Sequence, residues 1–109
     1  IEEAMEYFLE KIDQSATVEK AANRVGMSKG AFIRLFKSET GSTPYQYLTE
    51  KRISFACDLL GRDVLPIDLI AEQTGFTDRF HFSKVFKQWI GIPPVAYRKR
   101  EGRLNPSSE

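Results

Sequence analysis

Apolar residues recur at intervals of three and four along this chain, so the pattern it predicts is helical throughout. Residues 2–12 carry Ala4, Met5, Phe8, Leu9 and Ile12 at helical spacing, an amphipathic leading helix. Thr17 can cap a short helix with Val18, Ala21, Ala22 and Val25 on one side. Gly26 supplies a left-handed turn residue, and Ser28 caps a helix whose apolar set is Phe32, Leu35 and Phe36, stopped by Gly41. Pro44 sits in the first turn of a long helix to about Leu60, with Tyr47, Leu48, Ile53, Ala56, Leu59 and Leu60 buried and Gly61 as its end. A polar loop to Pro66 precedes Ile67, Ile70 and Ala71, a turn at Gly75, and Phe82, Val85, Phe86 and Trp89 on the next helix. Pro93 and Pro94 open a last short helix containing Val95 and Tyr97. The predicted fold is all-α, with about seven helices and no strands.

The same pattern occurs twice. At a shift of 49, Ala22 falls on Ala71, Gly26 on Gly75 and Met27 on Phe76. At a shift of 50, Phe32 falls on Phe82, Phe36 on Phe86, Lys37 on Lys87, Gly41 on Gly91, Pro44 on Pro94 and Tyr47 on Tyr97. One inserted residue near Thr77 or Asp78 accounts for the change of offset. Solenoid arrays need about three repeats, so two copies describe one small unit used twice. Each copy is a pair of helices joined by a tight turn, with a small alanine allowing close approach and a glycine turning the chain. That is the helix-turn-helix pattern.

Composition narrows the function. With 109 residues, 41% hydrophobic and 12% aromatic, the chain is globular and of a size for one domain or two small ones sharing a core. One Cys and one His exclude a disulfide framework and a zinc-finger ligand set. No apolar stretch approaches the roughly 18 residues of a membrane span, and no signal peptide opens the chain, which points to the cytoplasm. The chain starts at Ile1 rather than Met and is read as part of something longer. The net charge of +1 hides an asymmetry: −3 over residues 1–28 and +4 over residues 29–109. That excess permits a polyanionic partner without requiring one, since a charge run is commonly a solvated face.

Two stretches point further. "IAEQTGFTDRFHFSKVFKQWIGIPPVAYRKR", from Ile70 to Arg100, resembles the signature of the AraC/XylS family of bacterial transcription regulators. "AANRVGMSKGAFIRLFKSETGSTPYQYLTEKR" and "ACDLL" upstream agree with it. Ile70, Ala71, Gly75, Phe76, Phe82, Phe86, Gly91, Pro94, Tyr97 and Arg98 all fit the pattern. The resemblance implies a DNA-binding domain over 1–101, with helix-turn-helix subdomains at 1–42 and 62–101, a linker helix at 43–61, and a flexible tail at 102–109. It implies double-stranded DNA as partner, RNA polymerase as a further one, and an effector or sensory domain in a missing N-terminal part. Arg52 stands at the family's usual arginine position and is read as a tie between the subdomains.

A helical wheel assigns the contacts. With Phe32, Leu35 and Phe36 inward, Gly30, Arg34 and Lys37 point outward and Ile33 lies on the flank. With Phe82, Val85, Phe86 and Trp89 inward, Phe80, Lys84 and Lys87 point outward, with Arg79 and Ser83 flanking. A major groove admits a helix of this width, and its base edges accept hydrogen bonds from Arg and Lys. Recognition helices over about 28–39 and 78–89 would read bases through Lys29, Gly30, Ile33, Arg34, Arg79, Phe80, Ser83 and Lys84. Thr17, Ser28, Lys37 and Lys87 are assigned to phosphates. The linker helix, about 26 Å at ~1.5 Å per residue, is of the order of the ~34 Å between successive major-groove faces. One chain could then read a bipartite site, with the DNA bent or one helix seated imperfectly if docking is rigid.

Several of these residues keep a second reading. Gly30 costs about 1 kcal/mol in a helix interior; it either admits close backbone approach or marks weak readout. Ile33 touches a thymine methyl group or is a stray surface residue; Phe80 has the same choice, with burial as a third. His81 lies off the outer stripe and is chiefly structural, and Cys57 is a small core residue. Glu2, Glu3 and Glu6 suit a helix N-terminus, with a partner surface as the alternative. Asp58, Asp63 and Asp68 lack the spacing of a metal loop, and nothing suggests a cofactor. No phosphate loop or nucleophile–base set supports an enzyme. The competing function is a protein-interaction module whose basic stripes are incidental.

Overall fold

In a computed structural model the protein is described over residues 1–13, 16–62 and 64–104. Among the described residues seven helices follow in order: α1 (Glu2–Glu10), α2 (Val18–Arg24), α3 (Lys29–Thr40), α4 (Pro44–Arg62), α5 (Ile67–Gln73), α6 (Arg79–Ile90) and α7 (Pro94–Leu104). No strand occurs among the described residues. The chain divides into two compact units, Ile1–Lys51 and Arg52–Glu109. The division falls inside α4, so this helix serves both cores rather than forming a segment of its own. Leu48 is buried in the first core, whereas Ile53, Ala56, Leu59 and Leu60 are buried in the second.

The turn between the paired helices is built the same way in both units. After α2, the Met27 N–H donates to Ala22 O at 2.9 Å and the Gly26 N–H to Asn23 O at 3.1 Å. After α5, the Phe76 N–H donates to Ala71 O at 3.0 Å and the Gly75 N–H to Glu72 O at 3.2 Å. These are the 6→1 and 5→2 bonds of a Schellman motif. It requires a left-handed residue between them, and Gly26 and Gly75 supply φ of 71° and 85°. The helix that follows starts on a side-chain cap: Ser28 Oγ accepts from the Ala31 N–H at 3.3 Å, and Asp78 Oδ1 from the His81 N–H at 2.8 Å. Thr17 caps α2 in the same manner, accepting from Lys20 N–H.

Ring packing repeats too. Phe32 and Phe36 are fully buried at 5.7 Å between centroids, and Phe36 meets Tyr47 edge-on at 5.4 Å. Their counterparts Phe82 and Phe86 lie 5.6 Å apart, and Phe86 meets Tyr97 at 5.5 Å. Phe8 of α1 completes the first core against Phe36. In the second core Thr74 replaces Val25 of the repeat, and its buried hydroxyl is satisfied by donating to Ile70 O at 2.7 Å. Arg98 Nε donates to Leu60 O, fastening α7 to a carbonyl left open at the end of α4. Cys57 packs half-buried on this core beside Tyr97; burial pushes the thiol pKa up and the phenol pKa up to about 12.

Three apolar assignments fail. Leu9 is exposed, and Tyr7 takes the buried place on α1. Leu35 and Trp89 are exposed as well. A wheel gives the direction of a side chain but not whether a neighbour stands there. Leu35 lies about 60° off the Phe32 direction at 100° per residue, and Trp89 lies on the last turn of α6, two turns beyond Phe82. Helix ends shift slightly as well. Gly61 sits within α4, which runs on to Arg62. The last helix is not short: α7 continues to Leu104, past the start of the expected tail at Gly102. Residues 105–109 and Asp63 lie outside the described residues.

Candidate nucleic-acid interface

Each unit offers one capped helix with an apolar inner side and a basic outer side. On α3, Arg34 and Lys37 are exposed a turn apart; on α6, Lys84 and Lys87 are. Arg34 and Lys84 occupy equivalent positions of the repeat, as do Lys37 and Lys87. The cores anchor these outer faces by the opposite sides of the same helices, through Phe32 and Phe36 in one unit and Phe82 and Phe86 in the other. A side chain that can hydrogen-bond guanine is therefore held on a rod of groove width.

The remaining candidates are placed unevenly. Gly30 is exposed, while Ile33 is packed against the first core and only partly faces outward. That removes the reading of Ile33 as a stray surface residue. Phe80 is 72% exposed, which excludes its burial, and the Arg79 guanidinium lies 5.1 Å from its ring centroid. Ser83 is half-buried. His81 is exposed with its ring edge-on to Phe76 at 5.5 Å, consistent with a structural role. Thr17 and Ser28 spend one lone pair on their caps and retain acceptor and donor capacity. Cys57 and Arg52, whose pKa burial lowers, are both half-buried on α4.

Two candidates are already paired within the protein. Lys29 Nζ is 2.7 Å from Glu19 Oε1 and 5.9 Å from the Tyr45 ring centroid; its hydrogen bonds to the Glu19 carboxylate and then to the Tyr45 side chain hold the ammonium pKa above its usual value. Arg79 Nε is 3.7 Å from Asp68 Oδ1. Sequence reasoning missed Glu19, Asp68, Tyr45 and the Asp78 cap. The first two were accessible through the repeat, because Glu19 maps onto Asp68 as Lys29 maps onto Arg79. A cleft of about 410 Å³ beside Phe80 is lined by Asp68, Glu72 and Asp78 among others. Three carboxylates make it a poor seat for phosphate. No cluster of metal-ligating side chains occurs among the described residues.

Gly30 offers a direct test. A Cβ built there meets only Arg34 Nη1, at 3.5 Å, an ordinary contact. Gly30→Ala is therefore expected to stabilise the protein by about 0.5 kcal/mol or less, below the helix-interior cost of glycine because Gly30 stands in the first turn of α3, measured by thermal unfolding. A loss of DNA affinity in the same, more stable variant would identify Gly30 as a point of close backbone approach.

Known proteins share this architecture. A family model described as a helix-turn-helix domain matches residues 21–100. The RCS-specific HTH-type transcriptional activator RclR of Escherichia coli K12 is 34% identical over 102 residues, which are 94% of this chain and 36% of that protein. The multiple antibiotic resistance protein MarA of E. coli K12 is 29% identical over 98 residues, 90% of this chain and 77% of MarA. Among solved structures, the DNA-binding domain of AdpA, a global transcriptional factor in complex with a target DNA, superposes with a TM-score of 0.91. It is 32% identical, over 96% of this chain and 95% of that one. The C-terminal domain of the response regulator yesN from Fusobacterium nucleatum gives a TM-score of 0.86 at 32% identity, over 89% of this chain and 95% of that one. The chain spans just over a third of RclR.

Proposed function

Because the chain belongs to the AraC-type helix-turn-helix family of DNA-binding transcription-regulator domains, we propose that it reads a bipartite promoter site through α3 and α6. Arg34 and Lys84 contact base edges at the centre of each helix. Lys29, Gly30 and Ile33 flank Arg34, and Arg79, Phe80 and Ser83 flank Lys84. Thr17, Ser28, Lys37 and Lys87 take phosphates, which fix register without carrying sequence information. The observation that carries this reading is the recurrence, at a 50-residue shift, of an exposed Arg or Lys followed by a Lys one turn later on two identically introduced helices. At 19 residues and ~1.5 Å each, α4 is about 28 Å long, of the same order as one turn of DNA.

Such a domain binds rather than catalyses. Its setting would be the bacterial cytoplasm; no helix among the described residues is long and apolar enough to cross a membrane. RNA polymerase as a partner, and an effector-binding or sensory domain elsewhere in the protein, belong to the same proposal. Kinship with regulators such as RclR supports them.

Titrating a DNA duplex over a series of salt concentrations tests the reading. The logarithm of the binding constant should fall linearly with the logarithm of salt, with a slope of several units. An interaction module with incidental basic stripes predicts weak binding of DNA at every salt concentration. Lys37→Ala should weaken all duplexes alike and reduce the slope by about one unit; a sequence-selective loss would contradict its assignment to phosphate.

A further inference from the structure

The duplication relates a charge pair as well as a core. Glu19 falls on Asp68 at the shift of 49, and Lys29 on Arg79 at the shift of 50. Each carboxylate is the second residue of the short helix before the turn, α2 or α5, and each cation is the first residue of the helix after it. Both pairs form, Glu19–Lys29 at 2.7 Å and Asp68–Arg79 at 3.7 Å. Each cation also lies over an aromatic ring, Lys29 on Tyr45 and Arg79 on Phe80. These two rings are not equivalent in the repeat, since Tyr45 falls on Val95 and Phe80 on Gly30. The same environment for the cation is thus reached from different residues.

Stability does not explain this recurrence, because all four side chains are about half exposed or more and exposed ion pairs contribute little. Position does suggest a reason. A free cation at the first turn of a groove-binding helix would neutralise phosphates of any sequence and so raise non-specific binding. Paired to a carboxylate of its own unit, it adds little to that background. Specificity grows when the wrong complex is penalised, not only when the right one is favoured.

We propose that Glu19 and Asp68 are specificity-determining positioning residues, which clasp Lys29 and Arg79 away from non-specific phosphates and yield them only in the cognate groove. This rests on the DNA-binding reading above. Glu19→Gln and Asp68→Asn remove each clasp without changing side-chain size. Binding is measured over a salt series on a duplex recovered by selection and on a random-sequence duplex. Each variant should bind the random duplex roughly five- to tenfold more tightly at about 0.1 M salt, with a slope steeper by about 0.9. Cognate binding should change far less, so the specificity ratio falls, while the melting temperature stays nearly constant. In Lys29→Ala and Arg79→Ala backgrounds the gain should vanish. A gain of equal size without the cation would show general repulsion of DNA by the carboxylate and overturn the clasp. Unchanged random-duplex binding would overturn it too, as would a parallel loss on both duplexes with a lowered melting temperature. The unaltered chain's preference for the cognate duplex reports on DNA reading separately from either result.

Discussion

Phe36→Ala is expected to destabilise the first unit by about 3–5 kcal/mol, the usual cost of emptying a buried phenylalanine site. Phe36 is fully buried and its ring touches Phe8, Phe32 and Tyr47, so it joins α1, α3 and the start of α4. Truncation removes three ring contacts at once and leaves a cavity that helices pinned by caps and turns cannot close. A domain's entire stability is commonly about 5–15 kcal/mol, and units as small as Ile1–Lys51 lie toward the low end. The first unit should therefore be largely unfolded near 37 °C, with loss of helical signal and of selective DNA binding. Phe86→Ala should do the same to the second unit. Denaturant unfolding of the two variants measures this, and a loss below about 1 kcal/mol in either would contradict the assignment of Phe36 and Phe86 as the ring hubs of their cores.

Arg34→Ala should leave the fold intact and change what the protein reads. Arg34 is exposed and contributes no burial to the core, so unfolding should move little. Losing a base-edge contact of the arginine kind should cost about 1–3 kcal/mol on the selected site and relax the preference at one base pair. On random DNA the loss should be much smaller, because only the general charge term is gone. Lys84→Ala should relax a different position, belonging to the other block of the site. Binding of each variant to a panel of single-base substitutions checks the assignment. If Arg34→Ala weakened every duplex by the same factor, Arg34 would be a phosphate contact instead.

Much of this was legible because the chain states its pattern twice. Gly26 and Gly75, Phe32 and Phe82, Phe36 and Phe86 recur in register, and the Schellman turns and ring pairs recur with them. Caps at Thr17 and Ser28 followed from local chemistry. Another cap of that kind went unread: Thr43 and Gln46 form a reciprocal capping box at the start of α4, with bonds of 3.0 and 3.1 Å. What the pattern could not convey was whether a neighbour covers a given side chain. Leu9, Leu35 and Trp89 look inward on a wheel and are exposed, whereas Ile33 looks like a flank residue and is held against the core. The division of α4 between two cores does leave a trace in the pattern: Leu48 and Ile53 are five residues apart, with Thr49, Glu50, Lys51 and Arg52 all polar between them, so the helical spacing of three or four lapses where the two units meet. At the interface, direction was readable and pairing was not. Lys29 and Arg79 were legible as candidate base readers, but their partners come from the preceding helix, ten and eleven residues away across a turn, where the wheel of a single helix does not reach.

Selecting bound sequences from a random DNA pool, with the unaltered chain and with Arg34→Ala and Lys84→Ala, puts the two-helix reading at stake. Recovered sites should contain two preferred blocks about 10–10.5 base pairs apart, centre to centre, with Arg34→Ala erasing preference in one block and Lys84→Ala in the other. A single preferred block, or two variants that blur the same base pairs, would contradict it.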